Sequence, residues 1–167
     1  MLHGGFGLRT VGDLATPRFW ALAMLERLGE REIRVSGQGD GAGSLVEAWA
    51  GRDDDGRVAV AVWNGTLDRS KAGGHDSLSR TVRIRFTGLT GDYVVRHHRV
   101  DEERSNIAAV WHGISDGSAW PTDAQWAESR AADQLERGDV DQVVHDDAEV
   151  VFTLPMPSTS LIELVPP

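Results

Sequence analysis

The chain has 167 residues, of which 40% are hydrophobic and 26% charged, proportions that suit one folded domain with a sizeable core and exclude a disordered chain. Its formal net charge of −9 excludes a phosphate-reading nucleic-acid binder, which needs clustered Lys and Arg. No apolar run is long enough to span a bilayer, so no membrane partner is expected.

The glycine-rich opening "MLHGGFGLRTVGDLA" reads as a short strand running into a loop. Residues 1–16 lack the basic start and apolar core of a signal peptide, so no leader is expected within this chain, and the compartment stays open. The stretch "TPRFWALAMLERLG" predicts a helix over 17–28: Thr16 is placed to cap it, Pro17 suits its first position, and Gly29 suits a left-handed stop. Phe19, Trp20, Ala21, Leu22, Ala23, Met24, Leu25 and Leu28 surround most of its circumference. Such a helix needs cover on more than one side, so self-association through 17–28 is an expectation. A second expectation is that residues after Gly29 fold without it.

Beyond Gly29 the period changes to two. "SLVEAWAG", "RVAVAVWN", "RTVRIRFTGL", "YVVRHHRVD", "AEVVFTLP" and "SLIELV" are short runs rich in Val, Ile, Phe and Trp, separated by Gly, Asp, Asn and Pro. They predict a mostly β fold, an antiparallel β-sandwich. Val82, Ile84 and Phe86 share one face of a half-buried strand, with Arg83 and Arg85 on the other. In "VAVAVW" both faces are apolar, which predicts a central strand. The "DDDG" at 53–56 suits a hairpin turn better than a calcium loop, since the twelfth position counted from Asp53 is Asn64 where a bidentate Glu is required. One inserted helix is predicted from "PTDAQWAESRAADQL", where Thr122 and Gln125 form a capping box.

The densest chemistry lies in residues 97–126, "HHRVDEERSNIAAVWHGISDGSAWPTDAQW". His97 and His98 are strand neighbours and point to opposite faces, so they cannot chelate one ion together, and no metal site is expected. With no cysteine, a thiolate site is absent too, and no cofactor is implied. Asp101, Glu102, Glu103 and Asp116 could supply a glycosidase pair only if a fold held two of them across a sugar; beside Arg99 and Arg104 they read better as a salt-bridged loop. Of six tryptophans, Trp20, Trp49 and Trp63 sit in apolar patterns and are expected in the core. Trp111, Trp120 and Trp126 flank loops and are candidates for an interface or rim, together with Asp101 and Glu102.

In order, these parts resemble a known family. "HGGFGLRT" followed by "ATPRFWALAMLERLG" resembles the last strand and last helix of the catalytic (β/α)8 barrel in glycoside hydrolase family 39, the β-xylosidases and α-L-iduronidases. "GRVAVAVWN", "TVRIRFTGLTGDYVVRHHRVDEERSN", "WPTDAQW" and "SLIELV" resemble the β-sandwich that follows that barrel. The resemblance implies residues 1–29 as the end of a barrel and 30–167 as an accessory sandwich, with the barrel as partner and carbohydrate reached through it. In the family the acid/base glutamate follows an asparagine on an earlier barrel strand. No Asn-Glu dipeptide occurs here, so the resemblance transfers no catalytic residue. His3, Gly5 and Phe6, on the implied last barrel strand, are the substrate-proximal candidates. A carbohydrate-binding module or an independent protein-interaction sandwich is the rival reading, and two or three exposed coplanar tryptophans would favour the former.

Overall fold

A computed structural model describes residues 7–38, 45–71, 73–118, 120–138 and 142–167. The substrate-proximal candidates His3, Gly5 and Phe6 lie outside the described residues.

The architecture is mostly β, in antiparallel sheets. Among the described residues eight strands run in chain order as β1 (Arg31–Ile33), β2 (Val46–Arg52), β3 (Val58–Asn64), β4 (Arg80–Phe86), β5 (Asp92–Val100), β6 (Gln142–His145), β7 (Ala148–Leu154) and β8 (Ser158–Val165). They form a six-stranded sheet, β1-β2-β3-β8-β5-β6, and a two-stranded sheet, β4-β7. Three helices join them: α1 (Pro17–Glu26) before the first strand, and α2 (Ile107–Ile114) and α3 (Asp123–Ala131) between β5 and β6.

All six period-two runs form strands; the short strand expected in the opening falls partly outside the described residues, and residues 7–16 carry only an isolated bridge between Arg9 and Ala15. Three elements escape the sequence reading, each for a local reason. β1 and β6 are three and four residues long, too short to show a period. α2, "IAAVWHGI", is a short apolar run that reads equally as a buried strand. Its start is set by Asn106, whose side chain accepts from the Ala108 amide at 3.1 Å. The capping box of α3 forms as expected, Gln125 N donating to Thr122 Oγ1 at 3.3 Å and Thr122 N to Gln125 Oε1 at 2.9 Å.

β3 explains the layering. Paired with β2 on one side and β8 on the other, it is central, as its doubly apolar sequence requires. Val58 and Val60 pack with Ala50, Val95, Ile162 and Leu164 against Phe86 and Ala148 of the two-stranded sheet. Ala59 and Ala61 face the opposite way, where with Val100 and Leu161 they receive Met24 of α1 and the half-buried Trp20, Leu25 and Leu28. Small side chains on this face let the helix approach closely. Gly51 completes the seat, because a Cβ there would collide with the Leu28 carbonyl.

The helix itself differs from expectation in two details. Pro17 opens it and Gly29, at φ +90°, lies just past its end, but Thr16 makes no side-chain cap; its hydroxyl donates backwards to the Leu8 carbonyl at 2.9 Å. Regular helix stops at Glu26, and Arg27 and Leu28 close a tighter turn onto the carbonyls of Met24 and Leu25. The strands after Gly29 build one core among themselves, between the two sheets, while the other face of the six-stranded sheet is covered by α1. The opposite side of α1 keeps Leu22 exposed.

Tryptophan placement corrects one further expectation. Trp20 is half-buried against the sheet, but Trp49 is 56% exposed and Trp63 only half-buried. In the register Trp49 lies opposite Ala61, and it meets Trp63 edge to face at 5.1 Å. Both stand on the α1 side of the sheet. The helix covers the middle of that face and leaves Trp49 open.

Candidate functional site

The region 97–126 folds around Asp101. Its carboxylate is buried, accepts from the amides of Glu103 at 3.0 Å and Arg104 at 2.8 Å, and pairs with Arg99 at 2.9 Å and Arg104 at 3.4 Å. Ser105 takes a left-handed conformation, φ 50°, and donates to the Arg99 carbonyl at 2.7 Å, while Asn106 Nδ2 donates to the carbonyl of Glu102 at 2.8 Å. With its lone pairs occupied by two arginines and two amides, Asp101 organises a turn and has no free oxygen to offer a substrate. Glu102 and Glu103 project into solvent. Asp116 accepts from the Ser118 amide and hydroxyl, and these bonds hold its carboxyl below the usual range. The salt-bridged loop expected from sequence is what forms.

The three loop tryptophans gather around Trp126. Trp111 and Trp126 pack half-buried with Val110 around Leu14 and Ile107. Gly12 lies so close to the Trp126 ring that any side chain there would displace it. Arg130 stacks 5.5 Å over Trp126, and Trp120, 60% exposed, meets Trp126 edge to face at 5.9 Å and 69°. This small cluster ties the loop before α1 to α2 and α3. Glu102 and Asp101 instead line a shallow groove of about 580 Å³ with Trp63, Thr159, Pro17 and Ala21. The five rim candidates thus fall into two places, three on the satellite cluster and two on the groove.

His97 and His98 point to opposite faces, as strand geometry demands. His97 Nε2 lies 3.0 Å from Ser160 Oγ, its ring 4.7 Å from Phe152, between the two sheets. Burial pushes its pKa down to about 4, with the positive charges of Arg99, His98 and Arg104 adding to the shift. The unfolded chain therefore binds a proton at this position from about pH 6.5 downward while the folded chain does not until pH 4. Stability is expected to fall between those values, by about 3 kcal/mol if the whole shift is expressed. Denaturant midpoints at stepped pH check this, and His97→Gln should flatten that window; an unchanged slope would dismiss the assignment.

The residues missed by the sequence reading lie beneath α1. Glu163 of β8 is 1% exposed, yet it carries a charge held by three partners. Arg27 donates to it through Nη2 at 2.6 Å and Nε at 3.2 Å, and Arg57 through Nη1 at 2.8 Å. His98 Nε2 lies 3.3 Å away, within ion-pair reach. Arg57 also pairs with Asp53 at 2.5 Å and donates to the Arg27 carbonyl at 2.7 Å. Burial alone would raise the Glu163 pKa, but His98 and Arg27 hold it at about 2. The signal was present in "SLIELV": a glutamate that shares a strand face with Leu161 must be paired if that face is covered. Among the described residues no group of three or more His, Asp or Glu converges to hold a metal ion.

A family model described as "Glycosyl hydrolases family 39" matches residues 1–138. The chain belongs to glycosyl hydrolase family 39. Solved enzymes share the fold. A bacterial orthologue of human α-L-iduronidase superposes with a TM-score of 0.74 at 22% identity, over 92% of this chain and 28% of that one. The family 39 enzyme from Xanthomonas axonopodis pv. citri gives 0.71 at 21% identity, over 99% and 33%. A monomeric β-xylosidase from Caulobacter crescentus CB15 gives 0.71 at 22%, over 98% and 33%. No curated protein matches the chain. This family 39 chain therefore spans a third or less of the length of the solved enzymes it resembles.

Proposed function

We propose that residues 30–167 are the accessory β-sandwich of a retaining, β-xylosidase-like family 39 glycosidase, that residues 1–29 are the last strand and helix of its catalytic barrel, and that the chain is inactive alone. One observation carries the reading: almost the whole chain superposes on about a third of the β-xylosidase, leaving the larger part of that enzyme unmatched. The chain's own carboxylates support it, since retaining hydrolysis needs two of them across one bond. Asp101 is consumed by arginines and Glu102 lies in an open groove without a buried carboxylate free to partner it. The outward side of α1, with Leu22 exposed, is then the seat of the neighbouring barrel helices.

The rival glycan-binding reading asks for coplanar exposed tryptophans. Trp49 and Trp63 meet at 76° and Trp120 and Trp126 at 69°, so neither pair makes a flat platform for a sugar ring. The purified chain, incubated with aryl β-xylosides and aryl α-iduronides and titrated calorimetrically with xylo-oligosaccharides, is expected to show neither turnover nor saturable binding. Turnover lost on Glu102→Gln would place chemistry in the groove and sink the accessory reading, and micromolar binding lost on Trp49→Ala would replace it with the glycan-binding one.

A further inference from the structure

Asn64 ends β3 and is followed by glycine, the pairing most prone to spontaneous deamidation because nothing on the following residue hinders its backbone nitrogen. The fold treats this dipeptide unusually. Asn64 is 1% exposed and paired across the sheet with Val46 and Ser158. Its Nδ2 donates to two carbonyls, Leu78 at 2.8 Å and Leu154 at 3.1 Å. Leu78 precedes β4 and Leu154 ends β7, so this single amide ties the six-stranded sheet to both strands of the other. The Gly65 amide nitrogen, which would be the attacking atom, donates to the Leu45 carbonyl at 3.1 Å.

We propose that Asn64-Gly65 is a self-modification site that the native fold holds shut and unfolding opens, so that prolonged residence in the unfolded state becomes irreversible. In the released chain the Gly65 nitrogen attacks Cγ of Asn64, forming the new N–Cγ bond and giving its proton to solvent, while the Cγ–Nδ2 bond breaks and Nδ2 takes a proton from solvent and leaves as ammonia. Water then opens the five-membered imide at either carbonyl, yielding aspartate or isoaspartate. Either product is wrong for the fold. A carboxylate at this position faces the Leu78 and Leu154 oxygens with no hydrogen to donate, in a site without water access. Isoaspartate also lengthens the backbone by one atom inside a paired strand and breaks its register with β2 and β8.

The test holds the chain at mildly alkaline pH, folded in buffer and unfolded in guanidinium, and follows residue 64 by peptide mass mapping and isoaspartate methylation. Conversion through the open fraction alone makes the folded rate at least about a hundredfold slower. The refoldable fraction in the guanidinium sample should fall in step with conversion. Gly65→Ala is the informative variant, since a Cβ there meets no atom and φ is ordinary, so it folds; it should slow conversion in guanidinium and preserve refolding. Equal rates in the two samples, refolding that survives full conversion, or a Gly65→Ala chain that loses refolding just as fast would each overturn the proposal.

Discussion

Replacing Glu163 with alanine is expected to cost about 3–5 kcal/mol, a large part of the roughly 5–15 kcal/mol that holds a domain folded. The loss comes less from the ion pairs themselves than from what they leave behind. Arg57, four-fifths buried, would keep one carboxylate partner, Asp53, and Arg27 would lose its only carboxylate contact among the described residues. Both guanidinium groups would then meet a small cavity lined by Ala59 and Leu161. Glu163→Gln should be milder, because the amide oxygen still accepts from one arginine while its NH2 group faces the other. Guanidinium unfolding of both variants near neutral pH gives the comparison. A loss below about 1 kcal/mol for the alanine variant would mean that these pairs are solvated like surface ones.

Acid should reproduce part of this effect in the unmodified chain. Glu163 titrates at about 2 in the fold against 4.5 otherwise, so its contribution is present above pH 4.5 and is lost between there and pH 2. That window lies below the His97 window, and the two should be separable as consecutive slopes in stability against pH.

Deleting residues 1–29 is expected to abolish cooperative folding of the remainder. The sequence reading favoured the opposite, a sandwich freed of an awkward apolar helix. In the structure α1 covers Ala59, Ala61, Val100 and Leu161, and Arg27 supplies two of the hydrogen bonds to Glu163. Without it a sheet face of the central strands meets water and a buried carboxylate loses its principal partner. At about 25 cal/mol per Å² of apolar surface uncovered, a few hundred Å² amounts to about 5–10 kcal/mol, comparable with the whole stability of a small domain. Circular dichroism and light scattering of the shortened chain decide the matter. A cooperative thermal transition in a monodisperse 30–167 fragment would restore the view that the helix is a passenger on the sandwich.

The alternating runs were legible because the period of a half-buried strand is written in its own residues. "RTVRIRF" and "VAVAVW" announce one covered face and two covered faces respectively, and the burial along each strand agrees. α3 was legible for the same kind of reason, since its capping box is made by residues three apart. The loop chemistry of 97–106 could be read as salt bridging because acids and arginines there are sequence neighbours. By contrast, Trp49 was misplaced: alternation shows that it shares a face with Glu47 and Gly51 but says nothing of how far a helix elsewhere in the chain extends over that face.

What the sequence determined by itself, then, is much of what is set by interactions within a few residues: strand period, the capping box of α3, turn position, the opposed imidazoles, and the absence of an Asn-Glu pair. Only the tertiary structure decided the rest. The pairing of Glu163 emerges only when β8 is seen lying under α1, where Arg27, 136 positions away in sequence, and Arg57, just before β3, reach it. Asn64 reads as a turn residue until two carbonyls from different strands close on its amide. The reason is physical: burial of a polar group costs several kcal/mol unless it is paired, and whether it is buried, and by whom it is paired, depends on which distant segments pack over it.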